Sequence, residues 1–330
     1  MDSALVRVVD LHQLRSHHLD RLLQEEIDAW RERLSWDFEP SANLVRRFID
    51  AQSLNGYALL VNEHPIGYCY FVAEERKGLI GDLYVLKDFF ASEYEERLLA
   101  SVVDHMLRSG SVDRIESQLM MLRSGPGLAL PAPQYARAHG RNFMEKPLAH
   151  GRALPPAEGL AFLFDRWTDR VQDEAATVIA NAYKGHIDSA INDQYRSPAG
   201  ARRFLMNIIQ FPGCGNFFPP ASLASVDPET GKLCGICLAS MVDSGVGHIT
   251  QVCVAPHVRD QGLGYELIRR SLDALAKHGC TKATLTVTAT NQAAIALYER
   301  MGFQKTREFT ALVWDGFSGR PSGSPSIGYR

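Results

Sequence analysis

Apolar positions along this chain switch between a spacing of three to four residues and a spacing of two, and the switches mark its elements. From Leu11 to Phe38, Leu14, Leu19, Leu22, Leu23, Ile27 and Trp30 recur among charged residues, which predicts an amphipathic helix, with a second helical piece over Ala42 to Gln52. Tyr57 to Val61 and Ile66 to Ala73 read as strands, and Asn62-Glu63-His64-Pro65 between them is good turn chemistry for a hairpin. A third strand covers Leu79 to Leu86. A helix follows from Ser92 to Leu107, with Leu98, Leu99, Val102, Val103 and Met106 on its apolar stripe, and then a strand from Arg114 to Met120.

The second half begins with a strand at Leu160 to Asp165 and helices at Thr168 to Ala182 and Ala199 to Ile209. Between those helices Tyr183 to Pro198 is polar and irregular. Ala221 to Val226 and Leu233 to Val242 form a hairpin around Asp227-Pro228-Glu229-Thr230-Gly231. His248 to Val254 is a β-rich run that stops at Ala255-Pro256, where proline removes a ladder donor. After it, Arg259-Asp260-Gln261-Gly262-Leu263-Gly264 predicts a tight turn that gathers backbone N–H groups at the start of a helix, an arrangement that suits a pyrophosphate. Leu267, Ile268, Leu272 and Leu275 give that helix its buried stripe, and Gly279 its stop. Ala283, Leu285 and Val287 alternate with Thr284, Thr286 and Thr288, as in a strand. Asn291 caps a last helix carrying Ala294, Ile295, Leu297, Tyr298 and Met301, Gly302 ends it, and Phe309 to Trp314 closes the sheet.

The order of elements in the first half matches the second. Ile80 to Leu86 corresponds to His248 to Val254, and Tyr135-x-x-x-His139-Gly140-x-x-Phe143 echoes Tyr298-x-x-x-Gly302-Phe303. The fold class expected is α/β, with a mixed sheet in each of two tandem domains. The copies are not equivalent: where the second has its glycine turn, the first has Lys87-Asp88-Phe89-Phe90-Ala91-Ser92, and phenylalanine does not let a phosphate approach the backbone as glycine does. A Gly/Pro-rich stretch, Ser124 to Pro133, also interrupts the first copy. The soft segment Lys146 to Glu158 sets the boundary, giving a degenerate domain over 1–150, a catalytic domain over 151–317 and a flexible tail over 318–330.

Composition changes little in this picture. A chain of 330 residues is long for one core, so two domains are expected from length alone. The formal net charge of −3 argues against nucleic acid as a partner. No apolar run reaches the roughly 18 to 20 residues of a membrane span, and Met1-Asp2-Ser3 opens no signal-peptide pattern, so a cytoplasmic protein with no membrane partner is expected. Six scattered cysteines suit reduced thiols. The single C-x-x-C, Cys234 to Cys237, lies on a strand, where residues three apart point to opposite faces, and no metal site is expected.

Val254-Ala255-Pro256, Arg259-x-x-Gly262-x-Gly264 and Asn291-x-x-Ala294-x-x-Leu297-Tyr298-x-x-x-Gly302-Phe303 together resemble the acetyl-CoA-binding core of the GCN5-related N-acetyltransferase (GNAT) family. The resemblance implies acetyl-CoA as co-substrate, with direct attack by an acceptor amine in a ternary complex. By it, Arg259, Asp260, Gln261, Gly262, Leu263, Gly264 and Tyr265 receive the pyrophosphate, backbone groups of Val252, Cys253 and Val254 bind the pantetheine, and Asn291 contacts the cofactor while capping its helix. Tyr298 stands where the family often places the tyrosine that protonates the CoA thiolate, although burial alone also accounts for a tyrosine there. His248 is the candidate base. In a regular strand it shares a face with Thr250, Val252 and Val254, and its unperturbed pKa of about 6.5 suits proton removal from an ammonium; the other reading is a partly buried strand histidine. The chain lacks the carboxylate many members carry near this point. His186, Asp188, Asn192, Asp193 and Tyr195 lie in the loop that covers the acceptor pocket in the family, and a solvated loop is their other reading. The acceptor is a small-molecule amine or a protein N-terminal amine. The alternative from another class is a non-catalytic acyl-CoA-binding or regulatory protein.

Overall fold

The computed structural model describes residues 5–148 and 154–317. They gather into two compact units, one of residues 5–30, 42–139 and 309–317, the other of residues 31–41, 140–148 and 154–308. The expected division at 150/151 follows the two sequence copies. The packing units depart from it in three segments, because 31–41 and 140–148 lie with the second unit and 309–317 with the first. The expected tail, 318–330, lies outside the described residues.

In chain order the first elements are β1 (Val6–Asp10), α1 (Asp20–Leu34), α2 (Glu39–Asp50), β2 (Asn55–Val61), β3 (His64–Glu74), β4 (Lys77–Val85), α3 (Ser92–Ser109) and β5 (Arg114–Gln118). Strands β1 to β5 lie side by side in sequence order, antiparallel except for β4 and β5, which run parallel. Residues 311–315 then pair antiparallel with β5. The helix expected from Leu11 starts only at Asp20, since Leu11–Gln13 and Ser16–Leu19 are 3₁₀ turns, the first capped by the Asp10 carboxylate accepting from the His12 N–H. β1 was not expected from the pattern; only its pairing with β2 makes five residues a strand.

The remaining elements are β6 (Ala136–Pro147), β7 (Leu163–Arg166), α4 (Gln172–Ala182), α5 (Asp188–Ile191), α6 (Pro198–Gln210), β8 (Asn216–Phe217), β9 (Leu223–Val226), β10 (Leu233–Asp243), β11 (Val246–Val254), α7 (Leu263–Lys277), β12 (Lys282–Thr288), α8 (Gln292–Arg300) and β13 (Gln304–Asp315). The second unit's sheet runs β6-β12-β11-β10-β9-β7, with β11 and β12 parallel and the other pairs antiparallel. Within each unit a hairpin leads to a parallel pair joined by a crossover helix, α3 in one and α7 in the other. That repetition is the tandem architecture.

Two expectations for the first copy change. Lys146 and Pro147 belong to β6 rather than to a linker. Tyr135 precedes β6 directly, and Gly140 and Phe143 lie within it, so the echo of Tyr298, Gly302 and Phe303 is one of letters and not of structure. Pro126, Pro131 and Pro133 deny the intervening stretch a helix. That stretch instead closes over the N-terminus of α3. Leu119 and Met121 are buried, the Glu95 carboxylate accepts from the N–H groups of Arg123 (3.0 Å) and Ser124 (2.9 Å), and the Arg123 guanidinium lies over the rings of Tyr84 and Phe90.

Candidate functional site

The second unit contains a pocket of about 840 Å³ where β11 and β12 part. Their parallel pairing runs only from Val246↔Lys282 to Ile249↔Leu285, although β11 continues to Val254 and β12 to Thr288. Beyond that point the edge of β11 that faces away from β10 has no strand beside it. Residues 250–254 and 286–287 line the opening. Unpaired backbone donors and acceptors in a pocket must find partners in a ligand or in water.

A bulge in β11 sets which side chains look which way. Ile249 pairs with Ala239 and Gln251 with Leu238, so Thr250 is an extra residue, its hydroxyl donating to the Leu238 carbonyl at 3.1 Å. One inserted residue inverts the alternation after it. His248 and Gln251 therefore share one face, while Val252 and Val254 share the other with Ile249. The expected common face of His248, Thr250, Val252 and Val254 assumed an unbroken strand and is corrected.

At the mouth of the pocket the chain turns through Asp260 (φ 61°) and Gly262 (φ 82°) into α7. Gly262 is needed for its left-handed backbone. Gly264 has ordinary helical geometry, and a Cβ there would meet nothing nearer than Val254 Cγ2 at 3.6 Å, a normal contact. The chain itself thus has room for a side chain at 264, and the open space belongs to the pocket. Arg259 donates to the Ala182 carbonyl at the end of α4, and the Tyr265 hydroxyl donates to the Pro155 carbonyl at 2.8 Å. Glu266, held down to about 2 against its own burial by bonds from Arg269, the Ala157 N–H and Arg270, ties residues 155–157 beside the turn.

Of the residues expected at the site, Val252, Cys253, Val254, Arg259, Asp260, Gly262, Leu263, Gly264, Tyr265, Asn291 and Tyr298 line this pocket. Gln261 is exposed on the turn and His248 stands apart from the lining. Asn291 caps α8, its Oδ1 accepting from the Ala294 N–H at 3.3 Å. Tyr298 is 8% exposed and its hydroxyl has no partner among the described residues. Burial, then the Cys237 and Asp188 side chains, push its phenol up while Arg141 pulls it down, so it stays protonated at neutral pH. His248 is 4% exposed, bonded through Nδ1 to the Thr284 hydroxyl at 2.8 Å and edge-on to the Trp36 ring at 4.8 Å. Burial pushes it down to about 3. An imidazole that burial keeps neutral, and that stands outside the pocket lining, favours the strand-histidine reading of His248 over the base.

The pocket also holds a polar constellation only half seen in the sequence. Arg141, on β6 opposite Thr288, donates through Nη1 to Asp188 Oδ1 (3.1 Å) and Thr288 Oγ1 (2.7 Å), and through Nη2 to Thr286 Oγ1 (3.2 Å). The Thr288 hydroxyl donates to the same Asp188 oxygen. The threonine face of β12 is therefore a polar wall and not a solvent face; Thr284 and Thr288 are buried. Across from it, the rings of Tyr183 and Tyr195 stack at 4.4 Å, and Gln251 joins their hydroxyls, donating to Tyr183 at 2.9 Å and accepting from Tyr195 at 3.3 Å. Asp188 and Tyr195 were expected to matter here; Arg141, Tyr183, Gln251, Thr286 and Thr288 were not. His186, another of the expected loop residues, lines the pocket with its Nε2 3.4 Å from the Asn291 amide, while Asn192 and Asp193 are absent from the lining. The signal available for the threonines was their strict alternation, and for Gln251 a polar residue inside a β-rich run. Arg141 left none.

Residues 188–303 match the family model described as Acetyltransferase (GNAT) family. Over 103 residues the chain is 35% identical to a mycothiol acetyltransferase of Acidimicrobium ferrooxidans, covering 30% of this chain and 33% of that protein. Over 78 residues it is 36% identical to a [ribosomal protein bS18]-alanine N-acetyltransferase of Escherichia coli, covering 23% of this chain and 51% of that one. The chain thus spans between a third and about half of the length of these relatives. A solved tandem GNAT protein from the clavulanic acid biosynthesis pathway, without AcCoA, superposes with a TM-score of 0.59 at 13% identity, over 98% of this chain and 100% of that one, a likeness of fold.

Proposed function

We propose that this chain, which belongs to the GNAT family through residues 188–303 and has a tandem architecture, is an N-acetyltransferase that takes its acetyl group from acetyl-CoA in the second unit. The observation that carries the reading is the conjunction, in one pocket, of an unpaired β11 edge, a turn with room for a ligand at Gly264, and a protonated phenol at Tyr298. Backbone N–H groups from Arg259 to Tyr265, aided by the N-terminal end of the α7 dipole, hold the pyrophosphate. The free edge of Val252, Cys253 and Val254 runs along the pantetheine, and Asn291 borders it. A neutral acceptor nitrogen forms its bond to the thioester carbon as the carbon–sulfur bond breaks. Tyr298 gives its proton to the leaving sulfur, and the proton lost by nitrogen passes to solvent.

The first copy takes no part in acyl-carrier binding on this reading, since its turn carries Phe89 and Phe90 in place of the glycines and the Arg123 guanidinium lies over the Phe90 ring. The acceptor is a primary amine, on a small molecule or at a protein N-terminus. Those two kinds of acceptor are named for the two relatives, of which this chain spans only part. The protein works in the cytoplasm; among the described residues no helix is long and apolar enough to cross a membrane. Calorimetry should give one acetyl-CoA site per chain, and a panel of amines should release free thiol from acetyl-CoA in step with acetylated product. Tight binding with no thiol release from any amine would instead support a non-catalytic acyl-CoA-binding protein.

A further inference from the structure

Asp188 is placed as a binding group rather than as a structural one. Its side chain is 15% exposed and forms part of the pocket wall. Oδ1 is fully used, accepting from both Arg141 and Thr288. Among the described residues Oδ2 faces only His186 Nδ1, at 3.5 Å, which is beyond a good hydrogen bond. The side chain lines the pocket with this oxygen free to accept, so a donor on a bound ligand can reach it. Three pocket tyrosines, Tyr183, Tyr195 and Tyr298, all lie close enough for the Asp188 charge to act on their hydroxyls. The carboxylate thus lines one pocket with the rings of Tyr183 and Tyr195 and with the phenol assigned above to the leaving sulfur.

We infer that Asp188 is the anchor for the acceptor's amino group: Oδ2 receives the primary aliphatic ammonium as it docks, the nitrogen gives one proton to solvent before it attacks, and a remaining N–H keeps the bond to Oδ2, while Arg141 acts as the positioning residue that holds Oδ1. The inference rests on the acetyltransferase reading and names the chemistry of its acceptor site. Arg141 also balances the carboxylate before the acceptor arrives, and its guanidinium, held in turn by the Thr286 and Thr288 hydroxyls, fixes the place of Oδ1, which a flexible ammonium does less well. The flat faces of Tyr183 and Tyr195 suit the C–H groups beside the nitrogen. An aromatic amine, uncharged at neutral pH, offers Oδ2 an N–H donor without the positive charge that makes the bond charge-assisted.

The test separates docking from turnover. Full-length protein saturated with CoA is titrated with ethanolamine, an amino sugar, a short peptide with a free N-terminus, and aniline. At least one of the aliphatic amines should bind wild type, and aniline should not. Asp188→Asn keeps the shape and an acceptor for Arg141 and Thr288, so CoA should bind as before while the aliphatic amine binds about tenfold or more weakly, the scale of a lost charge-assisted bond. Arg141→Gln should weaken amine binding too, and Arg141→Lys should recover part of it. In turnover the Asp188→Asn loss should lie mainly in the amine KM. Amine binding unchanged in Asp188→Asn, or no aliphatic amine bound by wild type, overturns the assignment. The acetyltransferase reading fails separately, on thiol release.

Discussion

At the scale of single residues, burial decides between readings that the sequence leaves level. Tyr298 opens onto the pocket, so Tyr298→Phe should lower kcat by about 10²-fold or more with acetyl-CoA affinity little changed; a wild-type rate at saturating substrates would return it to the core. His248 is the opposite case. Its folded pKa, about 3, lies below the unfolded value of about 6.5, so the unfolded chain binds a proton that the folded one refuses. Its neutral packing costs nothing above pH ~6.5, and stability falls as pH drops from there toward 3. His248→Gln, which cannot titrate, should flatten that decline. Urea unfolding at pH 7 and pH 5 measures it, and an unchanged pH slope would contradict the burial argument. The variant should also leave the pH profile of turnover in place.

At the scale of elements, α7, β12 and α8 were legible because each keeps one period over its length and ends in glycine or before a capping asparagine, and β11 because it is β-rich and stops at a proline. The bulge at Thr250 was not, since an inserted residue leaves no mark in a run that is β-rich throughout. β6 was hidden for a different reason. Ala136 to Pro147 carries charges on both faces and a glycine, and only pairing with β12 makes it a strand. With it went Arg141, half of the polar constellation. The glycine turn was legible as a motif, but the sequence could not say which glycine serves the chain and which the ligand. Gly262 has the left-handed backbone and Gly264 does not, and Gly264→Ala tests the proposal that the second glycine serves the ligand. Alanine should leave the melting temperature equal or slightly higher, because α7 gains a better helix former worth roughly 0.5 to 1 kcal/mol. Acetyl-CoA affinity should fall. A lower melting temperature with affinity intact would reverse the assignment.

At the scale of the whole molecule, each compact unit is completed by a strand that comes from far away in the sequence. In the first unit the closing segment carries Trp314, fully buried, bonded through Nε1 to the Pro131 carbonyl at 2.7 Å and paired with Ile115. Beside it Glu116 sits between Lys77 and Arg114, all three buried, and Arg114 reaches Asp315. Such a network fixes register, because a slipped strand would leave a buried charge unpaired. Trp314→Ala should cost about 3 to 5 kcal/mol, and hydrogen exchange should show lost protection in β4 and β5 rather than near residue 314 alone. Unaltered exchange at residues 114–118 would contradict it.

The closing strand also sets a clock on the ribosome. Arg114 and Asp315 are separated by 201 residues. At about 5 to 20 residues per second, β5 waits on the order of ten to forty seconds for its neighbour. During that interval the nascent first unit exposes the strand edge that 311–315 will cover, a surface for chaperones or for mispairing, and it can finish folding only after the residues that line the second unit's pocket have been made.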